Sequence, residues 1–194
     1  MILSNQSLQD ALDRKWIVID PEPTPRKPSQ GAACPYETTS VDFHLADEIA
    51  YIKPGLPFNV DLSQGKFGTL FGPNSESVTI THEQPFVLQP MRLVLARTRE
   101  RIELPIQPDG ISFAARIEGK SSYARFGLIV HLTAPTIHAG FFGTITLELI
   151  NLGAYPITLR PDIAICQVIF ETVDGVPFRN DSQFHGQTRP GGHA

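Results

Sequence analysis

Proline and glycine punctuate this chain so densely, 17 and 15 times in 194 residues, that few intervals remain in which a long helix could run. Proline removes a backbone donor and clashes with the preceding helical turn, and glycine adds an entropic cost to any regular element. Between these breaks lie short runs of valine, isoleucine, threonine and phenylalanine, residues suited to a pleated, half-buried surface. They predict strands at 41–45, 48–52, 58–62, 77–81, 85–88, 92–98, 111–117, 128–133, 143–151, 156–159 and 163–172. One helix stands apart at 5–15, where Leu8, Ala11 and Leu12 recur at helical spacing behind Ser4 or Asn5 as a cap. A second, very short helix is expected at 121–126. The chain is long enough for one well-buried core and short for two, so a single mostly β domain over 1–194 is expected. Residues 21–38, PEPTPRKPSQGAACPYET, read as an extended Pro-rich loop, a linker or subunit-clasping arm. Residues 63–76 read as a Gly-rich loop without phosphate-loop spacing, and 183–194 as a small, polar tail that is mobile until a ligand orders it.

The charge balance narrows the partners. A formal net charge of −4 argues against a nucleic-acid-binding surface, which needs a basic patch, while leaving room for a free nucleotide held at one local positive site. Arg97, Arg99 and Arg101 alternate with Thr98 and Glu100 and read as a solvated hairpin. Cys34 and Cys166 are far apart, and the six histidines fall in no ligand spacing. A zinc deaminase needs a His-x-Glu and a later C-x-x-C, so no metal site is expected from this chain. Two cysteines, no apolar run approaching a membrane span and no signal-like N-terminus point to a reducing cytoplasm and to no membrane partner.

The stretch 116–151, RIEGKSSYARFGLIVHLTAPTIHAGFFGTITLELIN, concentrates the chemistry. Glu118-Gly119-Lys120-Ser121-Ser122 resembles a loop-to-helix junction, where unpaired amides attract anionic oxygens, and Lys120 adds a charge. Ser121 and Arg125, four residues apart, would share one helix face. A capped helix with a solvated arginine is the plainer reading, because serine is common at helix starts. In 144–150, strand alternation puts Ile145, Leu147 and Leu149 on one face and Thr144, Thr146, Glu148 and Ile150 on the other. A carboxyl on so apolar a strand is expected to have a raised pKa, suited to giving and taking protons near neutrality. His131, on the apolar run 128–132, reads as a satisfied core or interface histidine.

These motifs carry a family resemblance. EGKSSYARFGLIVHLTA, then GFFGTITLELINLG and PITLRPDIAICQVIFE, resemble the deoxycytidine triphosphate (dCTP) deaminase family, related in fold to the trimeric deoxyuridine triphosphatases. MILSNQSLQDAL, Ile19-Asp20-Pro21, Thr39 to Leu45 and Phe184-His185-Gly186-Gln187 extend the likeness over nearly the whole chain. The resemblance implies a distorted β-barrel of the deoxyuridine triphosphatase type and a homotrimer with sites at subunit interfaces. It makes Glu148 the proton shuttle that activates water for attack on cytosine C4, with Ser121, Arg125 and the Ala134 carbonyl positioning that water. Lys120, Ser122 and Gln187 would bind the triphosphate, and Phe141 would lie near the nucleoside; packing explains Phe141 and Phe142 almost as well. Mg²⁺ would arrive on the triphosphate, and no zinc would be used. His138 stands where the family carries an aspartate expected at the sugar hydroxyl, Pro135-Thr136 replaces a His-Arg pair, and Gln183 replaces a tail lysine. Three functions follow: a deaminase releasing dUTP, a bifunctional enzyme releasing dUMP and pyrophosphate, and a non-catalytic nucleotide-binding trimer.

Overall fold

The computed structural model describes residues 1–55, 60–61, 63, 67–107, 110–180 and 186–190. Its elements are α1 (Asn5–Asp13), β1 (Val18–Asp20), β2 (Val41–His44), β3 (Glu48–Ile52), α2 (Phe67–Asn74), β4 (Ser75–Thr79), β5 (Phe86–Leu88), β6 (Leu93–Glu103), β7 (Phe113–Gly119), α3 (Ser121–Ala124), β8 (Leu128–Val130), β9 (Thr136–Ile137), β10 (Phe142–Asn151), β11 (Ile157–Leu159) and β12 (Ala164–Thr172). The fold is mostly β, as expected. The expected strand at 58–62 and the tail residues Gln183, Phe184 and His185 fall largely or wholly outside the described residues.

Three sheets carry the strands. The first runs β4-β3-β6-β10-β8 with β1 also paired to β6, the second runs β2-β12-β7-β9, and β11 pairs with β5. Among the described residues these sheets keep open edges and do not close on one another, so the expected distorted barrel describes the mostly β fold only loosely. Both large sheets turn apolar faces inward: Phe43, Leu45, Leu147, Leu149, Ile165 and Phe170 have at most 1% of their surface exposed. Burial of that kind contributes about 1.5–3 kcal/mol per large apolar side chain. Asn151 closes the end of β10. It is fully buried, its Nδ2 donates to the Leu88 and Tyr155 carbonyls at 3.0 and 2.8 Å, and its Oδ1 accepts the Gly153 amide at 2.9 Å.

Two local expectations change. α2 forms in the stretch read as a loop, because Phe67 and Phe71 stack four residues apart at 4.9 Å and Phe71 joins Ala50 and Leu95 in a small buried cluster. Tertiary burial there overrides Gly68, Gly72 and Pro73. The arginine-rich segment is one continuous strand, β6, and not a hairpin. Its outward arginines find carboxylates, Arg97 with Asp47 at 3.1 Å, Arg99 with Asp162 at 2.7 Å and Arg101 with Glu103 at 2.6 Å. Glu100 faces inward and is fully buried, accepting the His44 amide at 2.8 Å and lying 2.7 Å from His44 Nδ1.

The N-terminal segment behaves as a clasp on its own chain. Ser4 caps α1 by accepting the Ser7 amide at 3.1 Å. Within the Pro-rich stretch 21–38, Arg26 pairs with Glu22 at 2.5 Å and with Asp13 at 2.6 Å, while Gln9 donates to the Arg26 carbonyl at 2.6 Å. Cys34 and Cys166 are free thiols. Among the described residues no helix is long and apolar enough to cross a membrane.

Candidate active site

The chain leaves the four-stranded sheet at the end of β7, makes the single turn of α3 and enters the six-stranded sheet through β8. The candidate residues therefore sit where the chain passes between the two sheets. Lys120 caps α3 in extended backbone, and its carbonyl accepts the Tyr123 and Ala124 amides at 3.0 Å each. Its ammonium is engaged within the chain, 2.5 Å from Asp42 Oδ2 on β2. With four residues, no side-chain cap and no buried residue, α3 aligns too few peptide units for the anion-attracting terminus expected from the sequence. Ser121 and Arg125 lie one turn apart, the Arg125 amide donating to the Ser121 carbonyl at 3.3 Å, and both are exposed together with Ser122.

Two glycines fix where α3 ends. Gly127 has φ +89°, and a Cβ there would stand 2.3 Å from the Gly153 nitrogen and 2.5 Å from its Cα. The Leu152 amide donates to the Gly127 carbonyl at 2.8 Å. The exit of α3 thus crosses the turn after β10 backbone against backbone, an approach only glycine permits.

Glu148 lies on β10, with Ile145, Leu147 and Leu149 buried and Glu148 half-buried on the opposite face, as alternation predicts. β8 pairs with β10 at Leu149–Val130 and delivers the next residue, His131, alongside it. The His131 amide donates to the Glu148 carbonyl at 3.0 Å, and ring Nδ1 lies 2.7 Å from Glu148 Oε2. This second contact is an ion pair when the ring is protonated, and each atom is the other's close partner. His131 Nε2 lies 2.8 Å from the Ala134 carbonyl. That carbonyl, expected to face water or the leaving amine, is taken up by the histidine.

The pairing reverses the expectation for Glu148. Burial pushes its carboxyl up, but contact with His131 and its charge outweigh burial and hold it below the ordinary 4.5. Burial pushes His131 down, and Glu148 outweighs it in turn, raising the imidazole above 6.5. Each partner thus favours the charged form of the other. His131, read from the sequence as a core or interface residue, is the partner that sequence reasoning missed. Its left-handed backbone, φ +66°, aims the ring back at β10.

The remaining candidates gather at the other end of β10. His138 is exposed, its carbonyl accepts the Phe141 amide at 3.2 Å, and the Phe141 carbonyl accepts the Leu104 amide at 2.9 Å. Gln187 is buried against Thr144: its Nε2 donates to the Thr144 carbonyl at 3.0 Å, and its own carbonyl accepts the Thr144 amide at 3.1 Å. Gly143 makes room for this, since a Cβ there would meet the Gln187 carbonyl oxygen at 3.0 Å. In this structure Gln187 anchors part of the tail to β10. Phe142 and Glu148 are six positions apart on β10, about 20 Å at the usual rise, and Thr144, which holds Gln187, is four positions from Glu148, about 13 Å, so one chain keeps this group away from Glu148. An apolar cleft of about 250 Å³ beside α3, lined by Tyr123, Phe126, Leu128, Tyr155, Pro156 and Ile157, contains neither Glu148 nor His131.

Comparison with known proteins identifies the family. Residues 2–173 match the model of the dCTP deaminase-like family. A protein of Methanosphaera stadtmanae named dCTP deaminase, dUMP-forming, is 35% identical over 201 residues, covering 97% of this chain and 91% of that protein. A dCTP deaminase of Rhodospirillum rubrum is 35% identical over 177 residues, covering 89% and 83%. The crystal structure of 2′-deoxycytidine 5′-triphosphate deaminase from Agrobacterium tumefaciens superposes with a TM-score of 0.60 at 16% identity, covering 87% of this chain and 47% of that one, and so shares the fold. With a family match running from α1 through β12 and two relatives above 30% identity along most of their length, the chain belongs to the dCTP deaminase-like family.

Proposed function

We propose that this protein hydrolyses the exocyclic amine of dCTP, giving dUTP and ammonia, with Glu148 as the group that moves protons. The observation carrying this reading is the Glu148–His131 pair, a carboxyl on an apolar strand with an imidazole nitrogen 2.7 Å away that lowers its pKa. Glu148 takes a proton from water as the oxygen bonds to cytosine C4 and delivers it to N3. It then passes the hydroxyl proton of the tetrahedral intermediate to the amine, and the C4–N bond breaks to release ammonia. Ser121 and Arg125, exposed one turn apart on α3, would hold the attacking oxygen and the charge it develops.

Mg²⁺ belongs with the substrate's phosphates in this reading. Among the described residues no group of three His, Cys, Asp or Glu side chains converges on a point. The separation of Glu148 from Phe141, His138 and Gln187 along β10 favours a site completed by a second subunit, in a homotrimer, which light scattering tests: a monomer would contradict it.

A second reading has its own support. The Methanosphaera relative is named as dUMP-forming, so the same site could continue to dUMP and pyrophosphate. His138, in place of the family aspartate, favours stopping at dUTP because an imidazole cannot serve as the same base. Incubation with dCTP and Mg²⁺, with dUTP and dCMP in parallel, followed by ion-exchange chromatography, separates the outcomes. Accumulated dUTP supports the proposal, dUMP with pyrophosphate moves the assignment to the second reading, and no conversion overturns both.

A further inference from the structure

We infer that Asp42 is a positioning residue of the active site, acting through Lys120 to hold the α3 turn that carries Ser121 and Arg125. The inference rests on the deaminase reading for its kinetic consequence, though not for its structural one. Strand register places the two residues together. β12 is the central strand between β2 and β7, with Gln167 paired to Asp42 on one side and to Glu118 on the other. Lys120 lies two residues beyond Glu118, so by alternation it projects on the same side of the sheet and can reach back over β12.

There its ammonium meets Asp42 Oδ2 at 2.5 Å, with side-chain exposures of 21% for Lys120 and 15% for Asp42, while Gln167 Nε2 donates to Asp42 Oδ1 at 3.3 Å. The pair is half sealed from water, and that is where an ion pair holds geometry better than a surface pair does. α3 has little else at its start, since it lacks a side-chain cap and buries no residue. At its far end the Gly127–Gly153 crossing fixes the exit. The turn is therefore strung between two anchors, and Asp42 is the one that carries charge. Lys120 is accordingly assigned as a tether first, and not as a free phosphate ligand.

Asp42→Asn keeps shape and removes the charge. The expected result is a fall in kcat of about tenfold to a hundredfold, the scale of a misplaced transition-state contact, with KM for dCTP changed by less than about threefold. A fall in KM would mean that Asp42 merely competes with the triphosphate for Lys120, and kcat within twofold of the parent would mean that it does nothing for the turn; either overturns the inference. In a Lys120→Met background the Asp42→Asn substitution should cost nothing further, and additive losses would overturn action through Lys120. Hydrogen exchange separates this from failure of the deaminase reading. The Tyr123, Ala124 and Arg125 amides should exchange several-fold faster in Asp42→Asn, and likewise in Lys120→Met, which leaves β2 and β12 intact. Unchanged exchange in the folded variants would overturn the inference whether or not dCTP is a substrate.

Discussion

His131 and Glu148 touch twice, through the His131 amide on the Glu148 carbonyl at 3.0 Å and through ring Nδ1 against the carboxylate at 2.7 Å. With Nε2 on the Ala134 carbonyl at 2.8 Å, both ring nitrogens face acceptors. That arrangement suits a doubly protonated imidazolium. The backbone contact keeps the ring in register with the carboxylate, so the strand pairing itself delivers the proton partner.

The first prediction concerns that proton. In Glu148→Gln the charge that raises His131 is gone while burial, which lowers it, remains, so the ring should titrate at a lower pH than in the parent. In His131→Asn the Glu148 carboxyl should titrate higher, because burial then acts with no opposing histidine. NMR titration of the imidazole and carboxyl carbons reads both directions.

A stability profile follows from the same shifts. Glu148 is depressed below 4.5, so its contribution is present above that value and is lost as pH falls through the lowered pKa. His131 is raised above 6.5, so its contribution is present below that value and is lost as pH rises through the raised pKa. The melting-temperature difference between parent and His131→Asn should be greatest between pH 4.5 and 6.5 and shrink on both sides.

In the proposed mechanism turnover depends on the carboxylate. Glu148→Gln should still bind nucleotide and lose at least about a hundredfold in kcat, the range for general acid–base catalysis. Binding by calorimetry together with steady-state kinetics checks both halves, and near-normal turnover would remove Glu148 from its role.

The glycine crossing has a cost of its own. Gly127→Ala must fit a Cβ within 2.3 Å of the Gly153 backbone at φ +89°, so the exit of α3 has to move. Destabilisation of at least about 2 kcal/mol in urea is expected, with loss of activity in whatever fraction still folds.

Glu100, read from the sequence as part of a solvated hairpin, is fully buried. Removing its carboxylate in Glu100→Ala strands the His44 amide and ring that it satisfies. The loss should be about 3–5 kcal/mol, measured as a lower denaturation midpoint, with Glu100→Gln losing less.

Much of this molecule was legible in its residues. Alternation in 144–150 gave the buried face of β10 and the side on which Glu148 lies, and the same rule applied to 97–103 groups Glu100 with Thr98 and Ile102 on the inner face. Reading that segment by its charges instead produced a hairpin where one strand runs. The likeness of KSSYAR and TLEL to a known family made Ser121, Arg125 and Glu148 the candidates for the site. α2 was hidden because Gly68, Gly72 and Pro73 speak against a helix locally, and only the burial of Phe71 outweighs them.

The sequence by itself determined what local rules govern: strands between proline and glycine breaks, the faces of those strands, and the residue types brought to the site. Tertiary structure decided which charges meet. Lys120 reaches Asp42 because β12 stands between β2 and β7, and His131 reaches Glu148 because β8 lies beside β10. A pKa depends on the charges and burial within a few ångströms in space, and for Glu148 those come from a residue on another strand, which is why its shift ran opposite to the one its own strand suggests.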